Sequence, residues 1–403
     1  MKSKSAAIVC LVAGMLLQLR ATHAASDFTW ERVTIGGFFS QGYLHSSGTN
    51  FPTANKGGTW DFREMGVNAS TTLGAHLRVG AQGFAQRFGA LGGDKLILDW
   101  AVADYNFRQQ LGVRVGRVKY PKGLYGEALD LDAVRPFAFL PTALYSPVLR
   151  DFAASFDGAM VYGTIDAGKS SFDYKAFTGD IPISPEKGVA EFFNSSGLYS
   201  TATGGVAKLG MDRVSGGQLA WNTPVSGLKI VHSYSRFRNL SGDGPFVAAP
   251  VLNLHANVAT FFWSTFSAEF SRGNWTFASE WQRTGGPLAY AAQPVVATVN
   301  DRVGWDSWYV SAARRLGRKL EVGAYYSTLW SRFSTSPRSA PGNHRTDKVV
   351  SLRYDVNDHL LVKLETQFIE GNLQVFNTPR IPNPAATRSD RTTVFAAKTT
   401  VSF

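Results

Sequence analysis

The stretch RTTVFAAKTTVSF, Arg391–Phe403, alternates with a period of two. Phe395, Ala397, Thr399, Val401 and Phe403 fall on one face, and Lys398, Thr400 and Ser402 on the other. That is a strand with one greasy and one polar side. The pattern recurs upstream. Leu360, Val362, Leu364 and Phe368 alternate with Lys363, Glu365 and Gln367. Leu320, Val322, Ala324, Tyr326 and Trp330 oppose Glu321, Gly323 and Ser327, and Trp275, Phe277 and Trp281 oppose Thr276, Glu280 and Gln282. Between Thr34 and Phe403 the chain divides into sixteen such segments, joined by seven tight turns and eight longer connections that follow one another in turn.

In lipid every backbone N–H and C=O must be paired within the protein, so a sheet that crosses a bilayer has to close on itself. Ten-residue alternating segments, even strand number and connections sorted into short and long sets predict an all-β fold. It is a transmembrane antiparallel β-barrel of about 16 strands, with short periplasmic turns and long extracellular loops. A soluble sandwich also alternates, but its turns do not sort by length. Ten Trp, 14 Tyr and 28 Phe supply material for aromatic girdles at the two interfaces. Sixteen strands enclose a lumen wide enough for water, and the polar faces carry charges of both signs suited to a wet interior.

The N-terminus reads as an export signal. Lys2 and Lys4 precede an apolar run from Ala6 to Leu19, and Thr22-His23-Ala24 offers small residues for cleavage before Ala25. Residues 1–24 are therefore expected to be removed, leaving 25–403 as one barrel domain. The only cysteine, Cys10, goes with the signal, so the mature chain has no thiol for a disulfide or a metal. Removal takes Lys2, Lys4 and Arg20 but no acid, and the formal charge falls from +11 to +8. An exported chain without basic runs, zinc spacing or a recognition helix is not expected to bind nucleic acid. No later stretch is long and apolar enough for a membrane helix.

One connection stands apart. Leu111, Val113 and Val115 alternate with Gly112, Arg114 and Gly116, and the alternation then stops at Pro121 and resumes only at Ser155. Residues 121–154 are too long for an idle loop and too rich in Phe, Leu and Tyr for a disordered one. The expectation is a loop folded into the lumen that narrows it. Arg114, Arg117, Lys119, Lys122, Arg135 and Arg150 are the candidates for a basic wall, with Glu127, Asp130, Asp132 and Asp151 as an opposing acidic side. Rings of charge of this kind tune the selectivity of pores.

The segment GRVKYPKGLYGE (Gly116–Glu127), with Arg135-Pro136, Leu140-Pro141, Tyr145, Arg150-Asp151 and Asp157-Gly158, resembles Gram-negative outer-membrane porins, more narrowly those related to the phosphate-selective porin O/P group. Phe403 and Val401 at the close are similar to the signal read by the barrel assembly machinery. The resemblance implies an outer-membrane location among lipid and lipopolysaccharide, a constriction loop after an early strand, and a homotrimer. It also implies a dense basic ladder if phosphate is the solute, whereas residues 121–154 hold three basic and four acidic side chains.

The function expected is passive diffusion of small hydrophilic solutes or ions, with a weak tilt towards anions. The alternatives are a substrate- or anion-specific channel, and a non-conducting barrel that acts as an adhesin or enzyme. Catalysis has little to point to. His232, His255, His344 and His359 are scattered without a partner at recognisable spacing, and Asp130 with Asp132 is too small a set for a calcium loop. No cofactor and no metal is expected.

Overall fold

The structure is a computed structural model, and it describes residues 33–294 and 297–403. The expected signal peptide lies outside the described residues. Sixteen antiparallel strands form one closed sheet. They are β1 (Thr34–Ser47), β2 (Thr59–Leu73), β3 (Leu77–Phe88), β4 (Ile97–Arg108), β5 (Leu111–Lys119), β6 (Ser155–Ala167) and β7 (Ser170–Asp180), followed by β8, which is interrupted between Lys208–Gly210 and Arg213–Asn222. Next come β9 (Leu228–Phe246), β10 (Ala249–Arg272), β11 (Trp275–Gln293) and β12, interrupted between Val299–Val303 and Trp305–Leu316. The last four are β13 (Leu320–Ser331), β14 (His344–Asp355), β15 (Leu360–Gly371) and β16 (Arg391–Ser402). Both pieces of β8 pair with β9, and both pieces of β12 pair with β11, so each is one strand with a break. The ring closes where β16 pairs with β1, from Phe38 opposite Ser402 to Ser47 opposite Thr393.

The faces sort as the alternation requires. On β15 Leu361, Lys363, Glu365, Gln367 and Ile369 are buried while Leu364 and Phe368 are exposed; on β16 Lys398 and Thr400 are buried while Phe395 and Val401 are exposed. A charged face that is buried and an apolar face that is open reverse the order of a soluble protein. That inversion fits lipid outside and polar contacts inside. Two segments whose alternation in the sequence is poorly phased, 96–107 and 205–223, have a local cause. β4 carries irregularities opposite Gln82/Gly83 and at Asn106/Arg108, and β8 is broken at Met211-Asp212. Each extra residue moves the following side chains to the other face.

Two stretches that the sequence reads as loops, 240–258 and 284–304, are mostly strand. Residues 240–258 are not a loop: β9 and β10, of 19 and 24 residues, remain paired from Leu240 opposite Val258 out to Pro245 opposite Asn253. Only Val247-Ala248 turns between them. Most of residues 284–304 is likewise strand, in β11 and the first piece of β12. A bilayer crossing needs about 9–11 residues, so these ladders run on past it. Beyond the lipid an apolar face is no longer required, and the alternation that marks a membrane strand fades there.

Candidate pore constriction

Residues 121–154 are bonded to buried side chains of several wall strands. They fold as short turns at Gly126–Ala128, Asp132–Val134 and Pro147–Leu149, ending in the one-turn helix α1 (Arg150–Ala153). Side chains from five wall strands, β8, β9, β11, β14 and β15, meet the loop backbone. Gly123 N–H donates to Ser233 Oγ of β9 (3.0 Å), and Gln218 of β8 donates to the Gly123 carbonyl (3.0 Å). Glu280 of β11 accepts from Leu124 N–H (3.0 Å) and Tyr145 O–H (2.7 Å). Glu365 of β15 accepts from Ala138 N–H (2.7 Å), and Arg353 of β14 donates to the Ala133 carbonyl (2.6 Å). Gly123 has φ +52° and a Cβ there would lie 2.1 Å from Glu280 Oε2, so glycine alone allows this approach.

The charges gather into two buried clusters. In one, Arg150 donates to Asp130 (2.9 Å) and Asp99 (2.6 Å), Lys119 lies 2.6 Å from each of the same two carboxylates, and the Arg150 guanidinium sits 3.5 Å over the Phe84 ring. In the other, Asp132 is 3.1 Å from Lys363 Nζ, 3.4 Å from Lys398 Nζ and 3.4 Å from Arg135, and it accepts from Thr400 O–H (2.7 Å). Burial works to raise the pKa of Asp132, but Lys363, Lys398 and Arg135 together hold it far below the usual carboxylate range. Asp130 is held low in the same way by Arg150 and Lys119 against its burial. Both remain anions.

The arrangement differs from a basic wall facing an acidic one. Lys119, Arg135 and Arg150 are interleaved with Asp130 and Asp132 rather than set opposite them, and Asp151 lies 3.7 Å from Arg150. Arg114 pairs with Asp104 (2.8 Å) beside Glu127, which also meets Lys175, and Arg117 pairs with its cross-strand neighbour Asp157 (2.6 Å). Apart from Glu127, which the loop brings to them, these belong to the β4–β7 wall and not to the two clusters. The physical reason is desolvation: charges brought into a filled lumen lose water and must find counter-ions at once. Lys122 is the exception. Among the described residues no carboxylate lies within 4.0 Å of it; it donates to the Leu144 carbonyl (2.5 Å) and sits over the rings of Trp263 (4.5 Å) and Tyr145 (4.9 Å). Burial pulls its pKa down to about 7, opposed in part by Glu280.

Several participants gave little sign in the sequence. Asp99 lies where β4 loses phase. Phe261 and Trp263 are aromatic at inward positions of β10, a departure from the polar-inward rule that could have flagged them. A second loop, between β7 and β8, also turns inward. Its helix α2 (Val189–Asn194) buries Glu191 against Thr378 and Arg380 of the β15–β16 loop, and Phe192 packs on Phe376 with centroids 4.7 Å apart. A Cβ at Gly188 would lie 1.8 Å from the Val148 carbonyl oxygen, so the second loop rests backbone to backbone on the first. The terminal residue completes the wall: Phe403 N–H donates to Gly37 O and Gly37 N–H to Phe403 O, each at 3.0 Å.

No family model matches the sequence, and no curated protein matches it. Solved structures do. OmpT of Vibrio cholerae is similar with a TM-score of 0.56 at 12% identity, over 92% of this chain and 98% of that one. The outer membrane channel DcaP of Acinetobacter baumannii gives 0.55 at 9%, over 92% and 97%. An anion-selective porin from Comamonas acidovorans gives 0.54 at 13%, over 92% and 99%. The chain therefore has the sixteen-stranded barrel fold of outer-membrane porins and channels.

Proposed function

We propose that this protein is an outer-membrane porin whose inward loop restricts it to small hydrophilic solutes and ions, with a weak preference for anions. The observation that carries this reading is the filling of the lumen. Wall side chains that an open diffusion pore would leave in water are covered by the loop, with Lys363 0%, Glu365 1% and Lys398 1% exposed. What passes must use seams between loop and wall, which favours a selective channel over a wide one. Lys122, a cation without a carboxylate beside it, supports the tilt towards anions; no basic ladder supports phosphate in particular. Export by the expected signal peptide, assembly by recognition of Phe403 and Val401, and a homotrimer in lipopolysaccharide-containing membrane belong to the same reading, as does the absence of catalysis.

The test is planar-bilayer recording across a salt gradient on refolded 25–403. Small, stable steps with a reversal potential on the anion side are expected, and releasing the loop should enlarge them. A folded barrel that passes no current would sink the channel reading. It would favour the second one, a non-conducting adhesin or enzyme, which the extensive bonding of the loop to the walls makes worth naming.

A further inference from the structure

Between the two inward loops and the wall the barrel holds a cavity of ≈ 150 Å³ whose lining is almost wholly apolar: Phe152 of α1, Val189 and Phe193 of α2, and Val258, Phe261 and Trp305 of the wall. A cavity of ≈ 70 Å³ with a mixed lining, Lys122 among it, adjoins it, and Leu149, Trp263 and Trp305 line both. At this seam two buried donors are under-used. Trp263 Nε1 is buried without a hydrogen-bond partner among the described residues. Lys122, 4.5 Å over the same indole ring and 5% exposed, gives one hydrogen bond and faces no carboxylate within 4.0 Å.

Buried donors are almost always satisfied, so an orphan N–H beside an ammonium with no carboxylate within 4.0 Å among the described residues marks a place for an acceptor that carries negative charge. An apolar cavity of about 150 Å³ takes a group the size of a benzene ring. We propose that the seam is a binding site for small amphipathic carboxylates: the apolar body, one ring or its aliphatic equivalent, occupies the larger cavity, and the carboxylate accepts from Lys122 and Trp263 Nε1–H. This deepens the channel reading by naming a substrate class, and it rests on that reading only for the claim that the bound solute is in transit. Acetate has the charge without the body. A neutral alcohol has the body without the charge. Neither satisfies both halves of the site.

The experiment is equilibrium dialysis of radiolabelled phenylacetate, 2-phenylethanol and acetate against the barrel in lipid nanodiscs, with empty nanodiscs as blank and heat-shifted electrophoretic mobility as the check of folding. Saturable binding of one phenylacetate per chain is expected, with 2-phenylethanol at least about tenfold weaker and acetate at the blank. Lys122→Met should weaken phenylacetate about tenfold and leave 2-phenylethanol unchanged, whereas Val258→Trp, which fills the cavity, should weaken both. Trp263→Phe keeps the ring, removes the N–H, and should act on phenylacetate alone; it serves if Lys122→Met fails to fold. Equal binding of the acid and the alcohol, indifference of both to Lys122→Met and Trp263→Phe, or no binding above blank by a folded barrel would each overturn the site. Conductance of the same preparations separates the two readings. A chain that conducts but does not bind loses the site alone; one that binds but does not conduct keeps the site and loses the channel.

Discussion

Asp132 is one carboxylate, 1% exposed, shared among Lys363, Lys398, Arg135 and Thr400. Asp132→Asn would leave the buried Lys363 ammonium with no carboxylate within 4.0 Å among the described residues, while Lys398 keeps Glu64 at 2.8 Å, at a cost of about 3 kcal/mol. Loop opening should then be roughly a hundredfold easier, read as faster hydrogen exchange at Ala138, whose N–H is bound to Glu365. The pH dependence follows from the same cluster. The depressed pKa values of Asp130 and Asp132 give stability that is fully present above the ordinary carboxylate value of 3.8 and is lost only as pH falls below the usual carboxylate range. Exchange at Asp132, whose own N–H is bound to the Asp130 carbonyl, should therefore stay slow down to about pH 4. Lys122 behaves oppositely. With its pKa lowered to about 7 by burial, it is charged below neutrality and loses its charge above it. Beside it stand Glu280, which opposes the shift, and the Tyr145 and Trp263 rings. Anion preference should fall between about pH 6 and about pH 8. Lys122→Met should abolish that change in reversal potential, and a change that survives in the variant would show that another group is responsible.

At the scale of elements, α2 and the β9–β10 hairpin divide the labour. Gly188 lets the second loop lie on Val148, so Gly188→Val should lift α2 and speed its hydrogen exchange while the barrel keeps its heat-shifted mobility. Unchanged exchange would mean that α2 is held by Glu191 and Phe192 alone. The same elements show where sequence is informative. Strands that face both lipid and lumen wrote themselves as alternation, because each residue answers to one of two media. β9 and β10 past Leu240 answer to water on one side and to packed loops on the other. Ser241, Gly242, Asp243 and Gly244 there look like a turn although they are paired. The loop 121–154 was legible as something inserted, and Lys363, Lys398, Glu280 and Glu365 as inward charges. Their meeting with Asp132 and the backbone at Leu124 and Ala138 was not, because contacts across a ring join residues 156 to 266 positions apart. The mixing of signs in the lumen was hidden for the same reason.

The whole molecule depends on the seam between its two ends. Phe403 extends the β16–β1 ladder by two hydrogen bonds with Gly37, and a Cβ at Gly37 would meet the Phe403 ring at 2.7 Å. Deleting Phe403 should lower the amount of heat-shifted, folded barrel recovered from a Gram-negative host membrane, and undiminished recovery would remove this residue from assembly. The seam also imposes a timetable. Asp132 is synthesised early, yet its partners at 363, 398 and 400 are the last wall residues to be made and lie on the strands that shut the ring. Pairings so distant in sequence come late in folding. The inward loop is thus latched by the strands that shut the ring: the vessel is sealed first, and its stopper seats afterwards.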